Sequence, residues 1–129
     1  MSLPTSLSST GDVCNYVDGE WVVPTGNDER VVVDPATGER LARVPFSSRD
    51  DINEAVRTAN EAFDSWRRQP VERRIRPFFQ YKQLLEEEIT ELAELLVRDH
   101  GKTFDEARGE LRRGIENVEV ACGIPTMMQ

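Results

Sequence analysis

The hydrophobic pattern changes its period once, just after Pro45, and that switch limits what this chain can fold into. A period near two belongs to strands and one near 3.6 to helices, so the chain reads as strands first and helices after. In the strand region, Asn15-Tyr16-Val17-Asp18-Gly19-Glu20-Trp21-Val22-Val23 places Asp-Gly between two β-forming segments. That is a strong signal for a tight hairpin, with strands expected at about Cys14–Val17 and Glu20–Val23. A second pair, Arg30–Val33 and Arg40–Val44, flanks Asp34-Pro35-Ala36-Thr37-Gly38-Glu39. There Pro fixes one turn dihedral and Gly allows a positive one. The expectation for this part is one small antiparallel sheet.

Beyond Pro45, Ser48 with Asp51 resembles a capping box. Ile52, Ala55, Val56, Ala59, Ala62, Phe63 and Trp66 then recur on one face, predicting an amphipathic helix over Arg49–Arg68. A second helix starts near Pro70 or Pro77, carries Phe78, Tyr81, Leu85, Ile89, Leu92 and Leu96 on one stripe, and stops at His100-Gly101. Thr103 and Glu106 open a third, with Phe104, Ala107, Leu111, Ile115, Val118 and Cys122 inward and Gly123-Ile124-Pro125 at its end. The fold class is therefore α+β, antiparallel hairpins followed by three amphipathic helices. Residues 1–12, rich in Ser and Thr, read as a flexible tail ahead of an incomplete domain over 13–129.

Charge and composition exclude several functions. A net charge of −8 opposes nucleic-acid binding, which depends on clustered cations that release phosphate counterions. No apolar run approaches the ~20 residues of a membrane helix, and the first residues lack the pattern of a secretory signal. Cys14 and Cys122 in such a chain read as reduced, small apolar fillers, and the default location is cytoplasmic. One histidine, without CxxC or HxxxH spacing, makes a metal site improbable. A dinucleotide-cradling glycine loop between strand and helix is also missing from the sequence.

The remaining candidates are weighed against plainer readings. His100 sits where a helix ends and suits the macrodipole there. Glu86-Glu87-Glu88 point in different directions on a helix and read as a solvated face. Gly109 and Gly114 within the third helix suggest close packing ahead of a nearby ligand. Arg112 and Arg113 beside Gly114 could grip a carboxylate through two parallel hydrogen bonds, although residue physics alone favours plain surface charge.

Taken together, Asn15-Tyr16-Val17-Asp18-Gly19-Glu20-Trp21, Asp34-Pro35-Ala36-Thr37-Gly38-Glu39, Val44-Pro45, Ala55-Val56 through Trp66, and Gly101-Lys102-Thr103 with Glu106-Ala107 resemble the N-terminal segment of aldehyde dehydrogenases. The closing run Gly114-Ile115-Glu116-Asn117-Val118-Glu119 through Pro125 is most similar to the CoA-acylating methylmalonate-semialdehyde dehydrogenase branch. The resemblance implies an aldehyde dehydrogenase-like α/β fold, with NAD and coenzyme A as cofactors of the intact enzyme and none for this chain alone. It implies substrate binding by Arg113, which holds the place of an arginine associated with the semialdehyde carboxylate. It also implies an incomplete catalyst. The nucleophilic cysteine and cofactor loop of the family lie further along, and neither Cys14 nor Cys122 takes the nucleophile's place. The partner expected is the rest of a dehydrogenase or a full-length subunit, with no nucleic acid and no membrane. Two rivals stay open: another aldehyde specificity within the family, or a small non-catalytic interaction protein.

Overall fold

A computed structural model describes residues 11–128. By contacts the chain divides between Ser65 and Trp66 into two compact units. The first contains β1 (Asn15–Val17), β2 (Glu20–Val22), β3 (Glu29–Val33) and β4 (Arg40–Pro45), then most of α1 (Arg49–Arg67). β1 and β2 pair antiparallel with Tyr16 opposite Trp21. Asp18 and Gly19 both take positive φ, 53° and 82°. That is the backbone a two-residue turn needs to match strand twist. The Tyr16 and Trp21 rings meet across the ladder with centroids 4.9 Å apart and planes tilted by 55°, a cross-strand pair of the kind that stabilises an antiparallel ribbon.

β3 and β4 form a second antiparallel hairpin, with a bulge between Val32 and Val33. Its turn is built by Asp34, whose carboxylate accepts from the amides of Ala36 (2.8 Å) and Thr37 (3.2 Å). The two hairpins are separate sheets, which corrects the single sheet expected. Each ladder satisfies its own backbone groups, and the six intervening residues hold glycine and proline in place of further strand.

The tail expected over 1–12 falls mostly outside the described residues, but its last members do not behave as a tail. Val13 donates to the Arg43 carbonyl (2.8 Å) and the Arg43 amide donates to Gly11 (3.2 Å). Asp12 is buried, 3% exposed, and its carboxylate receives Nε and Nη2 of Arg43 together. The third guanidinium nitrogen, Nη1, reaches Glu29 at 3.0 Å. A buried charge persists only when paired in this way.

The second unit contains α2 (Val71–Arg74), α3 (Arg76–Glu87), α4 (Ile89–His100), α5 (Phe104–Cys122) and α6 (Ile124–Met127). The single second helix expected is thus three segments. Pro77 lacks the N–H that would bond the Arg73 carbonyl, so α2 ends and α3 begins with Pro in its first turn. At Glu88 the backbone kinks (φ −100°, ψ 12°), yet its amide still donates to Leu84 and its carbonyl still accepts from Leu92, both at 3.0 Å. Three adjacent carboxylates at a helix C-terminus oppose the macrodipole and favour a break there.

α4 and α5 end and begin as the sequence signals. Gly101 caps α4 in the left-handed region. Thr103 and Glu106 form a reciprocal capping box: the Thr103 hydroxyl accepts from the Glu106 amide, and the Glu106 carboxylate accepts from the Thr103 amide. Ala93 on α4 and Ala107 on α5 are fully buried, joined by Ile115 and Cys122. Alanine at such positions lets helix backbones approach closely. Gly109 and Gly114 do not serve this purpose, which corrects the close-packing expectation. A Cβ at Gly114 would meet nothing within 4 Å, and one at Gly109 would meet only the Arg113 Nη1, at 3.9 Å. No helix among the described residues is long and apolar enough to cross a membrane.

Candidate functional site

Arg113 projects from the exposed side of α5, nearly three turns beyond the Thr103 cap. A helical side chain leans toward the N-terminus of its helix. The Arg113 guanidinium accordingly lies back toward Gly109, its Nη1 3.9 Å from where a Cβ on that residue would stand. Among the described residues Arg113 makes neither an ion pair nor a side-chain hydrogen bond.

Its neighbour Arg112 lies in a different setting. Consecutive residues diverge by about 100° around a helix. Arg112 therefore lines a groove of about 320 Å³ with Glu86, Glu116 and Glu119, where carboxylates already match its charge. Of the two arginines weighed from the sequence, neither makes an ion pair among the described residues, but Arg112 shares its groove with three carboxylates and Arg113 does not line that groove. Gly114 borders a third space, a mostly apolar groove of about 200 Å³ with Tyr81, Leu85, Leu96, Leu111 and Val118, which Glu110 also lines. Arg113 does not line it.

Two acids stand three residues from Arg113, Glu110 on its N-terminal side and Glu116 on its C-terminal side. The Lys102 ammonium holds the Glu110 carboxylate. This keeps Glu110 below the usual carboxylate range, chiefly through the Lys102 hydrogen bond and charge, with smaller contributions from His100 and Arg113. Residue reading alone missed this cluster. The available signal was a lysine immediately before a helix cap, two turns below an acid on the same face. His100 sits in the last turn of α4, its Nε2 3.1 Å from Asp99. Of the glutamate run, Glu86 pairs with Lys82 at 3.0 Å, and Lys82 also reaches Glu119 at 3.4 Å, linking α3 to α5.

The thiols occupy ordinary positions. Cys122 is buried on the packed side of α5, and the half-buried Cys14 donates to the Asp12 carbonyl at 3.6 Å. Both are free. Among the described residues no group of three or more His, Cys, Asp or Glu could hold a metal ion.

In the first unit, Asp51 organises the start of α1. Its carboxylate accepts from the amides of Ser48 (2.7 Å) and Thr25 (2.8 Å) and from the Thr25 hydroxyl. The Ser48 hydroxyl accepts from the Asp51 amide in return, at 3.1 Å. These donors lower its pKa to about 2. The arrangement fastens a loop to a helix and leaves no open chemistry. A dinucleotide does not fit these residues either. A pyrophosphate needs glycine-spaced amides between a parallel strand and a helix. Here the four strands form antiparallel hairpins, and β4 passes into α1 through Phe46-Ser47-Ser48.

Residues 21–129 match the aldehyde dehydrogenase family. Malonate-semialdehyde dehydrogenase 3 of Geobacillus kaustophilus (strain HTA426) is 50% identical over 122 residues, covering 95% of this chain and 25% of that protein. A methylmalonate-semialdehyde dehydrogenase from Oceanimonas doudoroffii superposes with a TM-score of 0.82 at 38% identity, over 88% of this chain and 23% of that one. An NAD complex of a candidate methylmalonate-semialdehyde dehydrogenase from Sinorhizobium meliloti 1021 gives 0.83 at 38% identity, with the same coverage. The chain spans about a quarter of the length of the relatives it matches.

Proposed function

Because this chain belongs to the aldehyde dehydrogenase family, we propose that it is the N-terminal segment of an NAD-dependent, CoA-acylating dehydrogenase of malonate- or methylmalonate-semialdehyde. In this reading residues 13–129 are an incomplete domain. The nucleophilic thiol and the NAD and coenzyme A sites belong to the polypeptide that completes it, and the enzyme works in the cytoplasm. What the segment contributes to substrate recognition is Arg113.

The observation that carries this reading is the setting of Arg113. An acid semialdehyde brings a carboxylate, and a guanidinium receives it best when no other anion already occupies its fork. Arg113 fulfils that condition on α5, in a segment half identical to a malonate-semialdehyde dehydrogenase.

A chimera tests it, with this chain replacing the matching N-terminal quarter of the Geobacillus kaustophilus enzyme. Arg113→Ala is expected to raise KM for malonate semialdehyde by about 10- to 100-fold, the range for losing a hydrogen-bonded charge pair. Propanal, which has no carboxylate, controls for general damage. An unchanged malonate-semialdehyde KM, or equal losses on both substrates, would rule out the carboxylate role. NAD reduction by the 129-residue chain alone would overturn the incomplete-catalyst reading.

A further inference from the structure

Glu110 and Arg113 stand three residues apart on α5 with the acid toward the N-terminus, a spacing at which opposite charges on a helix pair. They do not pair here. The Glu110 carboxylate turns instead to the Lys102 ammonium, eight residues earlier. Lys102 is fixed between the left-handed turn at Gly101 and the Thr103 cap, from which its side chain runs along the first two turns of α5. It is about three-quarters buried, at 24% side-chain exposure against 46% for Glu110. Glu116, the acid three residues after Arg113, lines the groove of Arg112.

A tethered glutamate and a substrate carboxylate are the same kind of acceptor competing for one guanidinium. The tethered one has the advantage of a high effective concentration. We propose that Lys102 is a positioning residue for Arg113: by holding Glu110 in an ion pair it leaves the Arg113 fork unoccupied for the carboxylate of the substrate. The proposal rests on the carboxylate role of Arg113 given above.

The test is a two-by-two comparison in the chimeric enzyme. Exposed ion pairs are weak, so freeing Glu110 would capture Arg113 only part of the time. Lys102→Met should therefore raise KM for malonate semialdehyde by about two- to fivefold, with the effect on KM and not on kcat. Lys102→Arg, which can keep the bridge, should stay within about twofold. The decisive readout is Glu110→Gln in each background. With Met at position 102 it should lower KM by about the same two- to fivefold, and with Lys102 present it should change KM by less than about 1.5-fold. If Glu110→Gln has the same effect in both backgrounds, Lys102 acts only through overall charge and the proposal is wrong. Failure of Arg113→Ala to raise KM sinks the parent reading, whereas an Arg113 effect without this non-additivity sinks the Lys102 proposal alone. The 129-residue chain gives an independent measurement through the ¹⁵N signals of the Arg113 guanidinium. Glu110→Gln should shift them after Lys102→Met and leave them in place when Lys102 is present, and the reverse pattern would overturn the proposal.

Discussion

The two units bury different kinds of residue. In the first, the buried described residues are Asp12 and Pro24, whereas in the second they are Ala93, Ala107, Ile115 and Cys122. The first unit is organised by directional bonds: the Asp12–Arg43–Glu29 ion pairs, the Asp34 turn, and Asp51 gathering Thr25 and Ser48. The second is organised by apolar faces of α3, α4 and α5 meeting around small side chains. Hydrogen bonds specify geometry while adding modest net stability, whereas apolar burial stabilises with less directional control. The hairpin unit should therefore be sensitive to geometry and protonation, and the helical unit to volume.

Volume in the helical unit gives the largest expected effect. Ile115→Ala removes a buried branched side chain from α5 and should cost about 2–4 kcal/mol, measured as a lower denaturation midpoint by helical circular dichroism. A loss confined to a few tenths would mean that the helical core is too loose for the comparison to hold. Geometry in the hairpin unit comes next. A Cβ at Gly26 would lie 2.2 Å from the Phe46 carbonyl oxygen, which accepts the Gly26 amide at 2.9 Å. Gly26→Ala should cost about 1–3 kcal/mol and disturb amide exchange at Phe46 before that of α5.

Protonation gives the smallest effect. Asp51 is shifted down from 3.8 to about 2. A depressed carboxylate stabilises the fold fully above its ordinary value, and that contribution fades as pH falls from about 3.8 toward 2. The Thr25 and Ser48 amides should lose exchange protection across this window. Asp51→Asn should remove the pH dependence at those two amides, and its persistence would assign the acid response to other carboxylates.

The same contrast explains what could be read from the residues. Asp18-Gly19, Asp34 through Gly38, Ser48 with Asp51, and Thr103 with Glu106 are each complete within a few positions, so their turns and caps are visible in the order of residues. The Asp12–Arg43 pair spans 31 positions and Gly26 meets a carbonyl 20 positions away, so local pattern held neither. The kink at Glu88 interrupts a stripe whose 3.6 periodicity continues on both sides. Gly109 and Gly114 were read as packing sites because glycine in a helix needs a reason. At Gly109 a Cβ would meet only the Arg113 guanidinium, at ordinary contact distance, and at Gly114 nothing, so neither glycine is required by packing among the described residues. Arg113 was singled out through family resemblance alone, whereas the Lys102–Glu110 ion pair, which spans eight positions, was not foreseen.

The Asp12–Arg43 clamp also bears on how the protein can be handled. A fusion or excision joined at Val13 would delete the buried anion and leave the half-buried Arg43 with Glu29 as its remaining partner. A junction placed ahead of Gly11 would spare the grip. Two residues that look expendable on paper thus decide where an engineer can safely cut.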